Sequence, residues 1–442
     1  MKIEEYIETL TDQIRCKKAR ASVACEIKNH ILDQAQAYEQ EGTTHEEALE
    51  QAVREMGDPM AAGAALDRVH RPQIDWHMLV MTLVFSIAGF LIMAAMGSIP
   101  DIPGSFERQL FYTLLSFGVI ALVFFADYRF IGRYGIGLYL IMTSIFFIYA
   151  KIAMRVNGRI PGLNTITYLY IPVLAGILYR LRGQRSSGII KALFFILFTA
   201  FISIQFSSSI FVGANIGAIS MILLLFAIIK GWFEVNKKKT LKMIALGFIG
   251  FFSVSILTIL RSQHSFRWAR LMAFLHPYEY SDTRGYPYIL IREQLLNAKI
   301  MGTYNNENTL SFVTNNLELT LLKIVFTYGI LIGIVVIVAF LCLCIHSYKV
   351  VQAQKNQLGM MLSTACLITI TFICIEGVLM NFGLYPITTI QFPFLSYGAS
   401  ATLTYAVLIG LLMSCHHYEK VITDFETPSK PTWHLDIKVE KR

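Results

Sequence analysis

Charge is scarce in this chain. Only 15% of its 442 residues are Asp, Glu, Lys or Arg, while 55% are hydrophobic. A mean hydropathy of +0.53 is too high for an ordinary water-soluble protein. The start of the chain lacks the pattern of a charged stretch followed by an apolar core, so a soluble helical segment rather than a signal peptide is expected there. Cysteines are missing where a disulfide framework would need them. Cys16 and Cys25 lie near the start, and Cys342, Cys344, Cys366, Cys374 and Cys415 lie in or at apolar runs, so no exported disulfide scaffold is expected. No His/Cys cluster has zinc spacing, and the adjacent His416 and His417 cannot easily chelate one metal together. The net charge of +8 fits cations gathered in cytoplasmic connections of a membrane protein better than a nucleic-acid surface.

Apolar runs are abundant. A bilayer crossing needs about 20 apolar residues as a helix, and candidate runs recur near 77–99, 109–126, 134–151, 167–180, 188–205, 209–233, 240–260, 319–345, 359–382 and 398–415. The expected fold is an all-α polytopic membrane protein of about ten spans. Alternate connections carry Arg129, Arg133, Arg180, Arg182, Arg185, Lys191, Lys230, Lys237, Lys238, Lys239, Lys242, Lys349 and Lys355, whereas the others carry Arg108, Lys151, Arg155 and Arg159. This asymmetry puts the cation-rich side and both termini in the cytoplasm.

Residues 1–72 differ in kind. Charged and apolar residues alternate at helical spacing, Thr44 precedes Glu46 and Glu47 as a helix start, and Gly57-Asp58-Pro59 breaks the pattern. A small cytoplasmic helical domain is expected there, followed by a transmembrane domain over 73–415 and a cytoplasmic tail over 416–442. The run GTTHEEALEQAVREMGDP resembles the short prefix domain found ahead of some bacterial permease-like proteins. Residues 261–318 form a long outward segment, rich in aromatics and arginines, of the kind that lies along a membrane surface. Long connections in compact membrane domains commonly carry function.

The sequence NFGLYPITTIQFPFLSYGAS, from Asn381 to Ser400, interrupts two apolar runs with Pro386 and Pro393. Proline donates no backbone hydrogen bond, and irregular backbone at membrane depth survives only where protein or a wet cavity satisfies it. Ser396, Tyr397 and Ser400 can provide such partners or meet a polar head group, and Gly398 permits close backbone approach; a plain helix start is the simpler alternative. Together with Ile74-Asp75-Trp76 and the stretch RLMAFLHP (Arg270–Pro277), this signature resembles the shape, elongation, division and sporulation (SEDS) proteins, the FtsW/RodA/SpoVE family, over roughly 74–415.

The resemblance implies a peptidoglycan glycosyltransferase in the bacterial plasma membrane that polymerises lipid II, an undecaprenyl-diphosphate-linked precursor, beside a transpeptidase partner. It implies a carboxylate base at the outer end of the span after the long loop. Counting back from Gly329 lands on Glu318, where the family pattern has an aspartate. Arg267, Arg270 and Arg292 are the candidates for diphosphate contact, with Ser396, Tyr397, Gly398 and Ser400 as further substrate-binding candidates. A divalent cation is compatible with the chemistry. The family's Gln-Pro-Asp-Leu-Gly-Thr run is replaced by Gln205 to Ile210, and its Glu-Glu pair by Phe326-Thr327. These departures keep two rivals open: a non-catalytic lipid II-binding regulator and a transporter of lipid-linked precursor. Glu318 can instead be a solvated acid at a helix start. Glu376, inside a span, is costly to bury, and is either functional or a carboxyl hydrogen-bonded to a neighbouring helix.

Overall fold

The computed structural model describes the chain except residues 1, 96–103, 154–159, 161, 207–209, 262–265, 304–311, 313–315, 317, 389, 420 and 422–442. Most of the expected tail, and the Gln205–Ile210 replacement from 207 to 209, therefore lie outside the described residues. The described residues are helical, with no strand among them.

Four short helices come first: α1 (Ile3–Asp12), α2 (Lys17–Gln40), α3 (His45–Glu55) and α4 (Pro59–Val69). They close over Tyr6, Leu10, Ile14, Val23, Ile31, Ala48 and Ala52, all buried. Asp58 starts α4 by accepting from the amides of Met60 and Ala61, which is how an acid before a Pro-led helix satisfies orphan donors. Thr44 starts α3 without such a cap; its hydroxyl donates to the Glu47 carboxylate instead, at 2.8 Å.

Long apolar helices follow: α5 (Trp76–Ala95), α6 (Ser105–Phe125), α7 (Arg129–Ile152), the short α8 (Leu163–Ile166), α9 (Tyr170–Arg180), α10 (Arg185–Phe206), α11 (Ile210–Ile229) and α12 (Lys237–Arg261). The long connection over 261–318 contributes α13 (Phe266–Leu275) and α14 (Tyr286–Leu296). The bundle then closes with α15 (Thr320–Tyr328), α16 (Ile330–Ala353), α17 (Gln357–Asn381) and α18 (Ala399–His417). Eight of these helices are long and apolar enough to cross a bilayer, counted among the described residues.

Of the ten expected runs, 167–180 and 240–260 are not among the eight, the latter lying in α12, and two runs depart from a single continuous helix. The run 167–180 is a stack of α8, a 3-10 turn at Thr167–Leu169 and α9, none of them long enough alone; Tyr170 to Tyr179 are all buried, so protein rather than lipid surrounds them. The run 319–345 is broken at Gly329, between α15 and α16. Gly329 has φ 100°, and a Cβ there would lie 2.6 Å from the Ile300 carbonyl oxygen and from Met301 Cα. Only glycine tolerates that conformation and that approach.

At the cation-rich side, the four-helix unit touches the bundle. Lys18 Nζ lies 3.6 Å from Asp127 and 4.2 Å from the centre of the Tyr418 ring. Burial alone would raise the Asp127 carboxyl, but the Arg129 guanidinium and Lys18 hold it below the ordinary carboxylate range. Asp75, almost wholly buried, accepts from the Met78 amide at 3.0 Å and pairs with His346 of α16 at 2.7 Å. It caps α5 and ties that helix to α16.

Candidate functional site

The signature that interrupts α17 and α18 is irregular but satisfied. Gly383 follows the end of α17 with φ 68°, and Phe394 also has a positive φ, 60°. The Ser396 hydroxyl accepts from the Phe392 amide at 3.0 Å and pairs with the Thr320 hydroxyl at 2.7 Å. Tyr405 donates to the Gln391 carbonyl, and the Gly398 amide donates to Gln109 of α6 at 3.2 Å. A Cβ on Gly398 would stand 2.7 Å from Gln391 Oε1, and its φ of 148° suits glycine. The two prolines sit where no ladder hydrogen bond is needed, so helix-to-helix side-chain contacts do the work that water does in a soluble loop.

The long connection grips the same stretch. Arg292 of α14 donates to the Gly383 carbonyl at 3.1 Å, and the Ile387 amide donates to the Tyr288 hydroxyl at 3.1 Å. The Phe274 ring of α13 packs edge-on against Tyr288, with ring centres 5.5 Å apart. Half-buried Arg270 stands on α13. Arg267 is on the same helix, but its side chain lies outside the described residues.

Glu318 occupies a half-buried turn just before α15. Its carbonyl accepts from the Asn381 side chain at 3.4 Å. Leu319 and Thr320 beside it are buried. Three of the sequence-derived candidates are thus tied into one assembly: Glu318 through Asn381, Ser396 through Thr320, and Arg292 through Gly383. Tyr397 faces α6 instead. Its ring centre is 6.3 Å from that of Tyr112, and burial followed by Tyr112 raises its phenol above the usual range, with Arg108 opposing. Ser400 packs against Gly162, where an added Cβ would lie 2.9 Å from the serine Cβ.

Glu376 is buried in a polar knot at membrane depth. Asn215 of α11 donates to one carboxyl oxygen at 2.5 Å, and Thr388 of the signature donates to the other at 3.2 Å. Asn215 also reaches the Tyr168 hydroxyl at 3.4 Å, and Tyr385 donates to Asn215 Oδ1 at 3.5 Å. The knot joins α11, the 3-10 turn, α17 and the signature. Sequence reasoning passed over Asn215, although a lone amide in the run IFVGANIGAIS is a visible signal. It also missed Thr320, Gln109 and Tyr288, whose partners lie far along the chain.

A sequence profile of the FtsW/RodA/SpoVE family, described as cell cycle proteins, matches residues 171–421, more than half of the chain. The chain belongs to this family. As an FtsW/RodA/SpoVE member it is a multi-pass membrane protein of cell-wall biogenesis, and the eight apolar helices agree with that. Solved structures share the fold. A peptidoglycan synthase complex, reported as structural coordination of polymerization and crosslinking, aligns with TM-score 0.59 and 15% identity, covering 78% of this chain and 97% of that one. The Thermus thermophilus rod shape determining protein RodA aligns with TM-score 0.52 and 12% identity, covering 78% of this chain and 97% of its own. A RodA variant with one aspartate replaced by alanine aligns equally well, at 13% identity, covering 78% of this chain and 98% of its own. A search of curated protein sequences finds no match.

Proposed function

We propose that this FtsW/RodA/SpoVE protein polymerises lipid II at the outer face of the plasma membrane. A sugar hydroxyl of one precursor attacks the anomeric carbon of another chain; the hydroxyl proton passes to Glu318, the glycosidic bond forms, and the bond to the lipid diphosphate breaks with its electron pair leaving on the diphosphate. Arg267, Arg270 and Arg292 are the proposed contacts for that leaving charge, and Ser396, Tyr397, Gly398 and Ser400 shape the substrate cavity. The observation that carries this proposal is the joining of the Glu318 turn to the signature through Asn381 and Thr320. A divalent cation assisting departure of the diphosphate is compatible with this chemistry, and no ligand set is assigned to it. A membrane-anchored transpeptidase is the proposed partner, by analogy with the similar synthase complex. Purified protein given lipid II should produce glycan strands. Bound but unpolymerised lipid II would favour the regulator, which the Glu-for-Asp exchange and the engagement of Arg292 by Gly383 also suit.

The proposed topology places residues 1–72 and both termini inside and 261–318 outside, on loop charge. A membrane-impermeant maleimide should label Asp282→Cys on intact cells, and Glu5→Cys and Asp424→Cys only after permeabilisation. Labelling of the terminal sites on intact cells, with Asp282→Cys protected, would reverse the orientation.

A further inference from the structure

We propose that Asn381 is a positioning residue for Glu318, acting as a helix cap supplied from another span. This rests on Glu318 being the proton acceptor of the proposed glycosyl transfer. The first amides of any helix lack intrahelical acceptors, and the residue at the N-cap ordinarily provides one through its side chain. The N-cap of α15 is Leu319, which has no side-chain acceptor. Asn381, the last residue of α17, fills the gap: its Oδ1 accepts from the Leu322 amide at 2.9 Å, 59 positions away in sequence. Its Nδ2 donates to its own helix at the Gly377 carbonyl, 2.8 Å, and to the Glu318 carbonyl at 3.4 Å. The last of these is long and the weakest of the three, so the Leu322 bond is the main restraint.

One buried side chain therefore holds both the turn that carries Glu318 and the first turn of α15. From the other side, Thr320 is held by Ser396 at 2.7 Å. The Glu318 backbone is thus held from α17 and from the signature, beside the bond that the Leu319 amide donates to the Asn316 carbonyl at 3.1 Å. A neutral cap has an electrostatic consequence as well. Asparagine leaves the positive end of the α15 dipole uncompensated, which favours an ionised acid beside it, whereas an aspartate at 381 would compensate the dipole and repel the Glu318 carboxylate. An amide serves a base there better than an acid would.

The test uses the full-length protein in nanodiscs, with three readouts: amide exchange over residues 319–325, lipid II polymerisation, and its pH profile. Asn381→Leu should speed exchange of the first turn of α15 by about tenfold or more. It should also lower kcat by roughly 10²-fold, the loss expected from a misplacement near 1 Å, with KM for lipid II little changed. Asn381→Asp retains the acceptor for Leu322, so exchange should stay near wild type while the acid limb of the kcat profile moves to higher pH. Unchanged exchange in the Leu variant would show that no cap exists and overturn the proposal. Faster exchange with wild-type kcat, or an unmoved acid limb in the Asp variant, would leave a structural cap and overturn the positioning role. A wild-type chain that binds lipid II without polymerising it would refute the catalytic reading of Glu318 and the positioning role with it. The exchange data would still report the cap, so the two failures are told apart.

Discussion

Glu318→Gln is expected to lower lipid II polymerisation by about 10²–10⁴-fold, the range typical for loss of a general base, while lipid II binding survives. Glutamine keeps the size and the hydrogen-bonding reach of the side chain and removes only the proton acceptor. The half-buried turn around Glu318 is held at its own carbonyl and at the Leu322 amide, two restraints that the substitution leaves in place. Glu318→Asp shortens the arm by about one bond and restores the residue that the family pattern carries at this place. Its activity should be preserved or raised if the neighbouring groups accept the shorter acid, and should fall by about 10²-fold if they have adapted to the longer arm. If Glu318 merely favours the α15 dipole, the Gln variant loses well under 1 kcal/mol of local stability and turnover stays at the wild-type level. That result, in protein confirmed to bind lipid II, would remove Glu318 from the base role.

The second large effect is expected at Glu376, and it is one of stability. Glu376→Leu deletes both carboxyl acceptors, leaving the Thr388 donor without its oxygen partner and the Asn215 donor with only the longer 3.4 Å contact to the Tyr168 hydroxyl. An orphaned donor costs on the order of 1–3 kcal/mol, so the apparent melting temperature in detergent should fall sharply. Glu376→Gln keeps one oxygen acceptor and sets an amide against the other donor, so its loss should be smaller. A Leu variant that melts like the wild type would show that the knot contributes nothing to stability. The same pair of variants bears on the transport alternative. A proton-relay carboxylate would make the Gln variant lose energised lipid movement while melting normally, whereas a structural knot links the two losses.

Both predictions concern residues visible in the sequence, yet their surroundings were not. Glu376 stood out because a carboxylate inside an apolar run is expensive, but its partners Asn215 and Thr388 are 161 and 12 positions away. Which helices lie side by side decides such a meeting, and hydrophobicity does not encode the order of neighbours in a bundle. Asp75 was noticed as the start of the first span; its pairing with His346, 271 positions on, follows from the packing of α5 beside α16. The run 319–345 read as a single span because it is largely apolar, carries no charge but Lys323 and holds no proline, and the break at Gly329 answers to the approaching Ile300 carbonyl, a tertiary fact.

The sequence by itself determined the membrane class, the helical content and the family, because each of these rests on local properties: apolar length, helix period, and a contiguous signature. It also marked Glu318, Arg292 and Ser396 one by one. Only the tertiary structure decided that the three belong to one assembly, that Asn381 caps a helix it does not precede, and that the start of the chain touches the bundle through Lys18. Hydrogen bonds at membrane depth must be found within the protein, and the partner is whichever group the fold brings near, however distant in sequence.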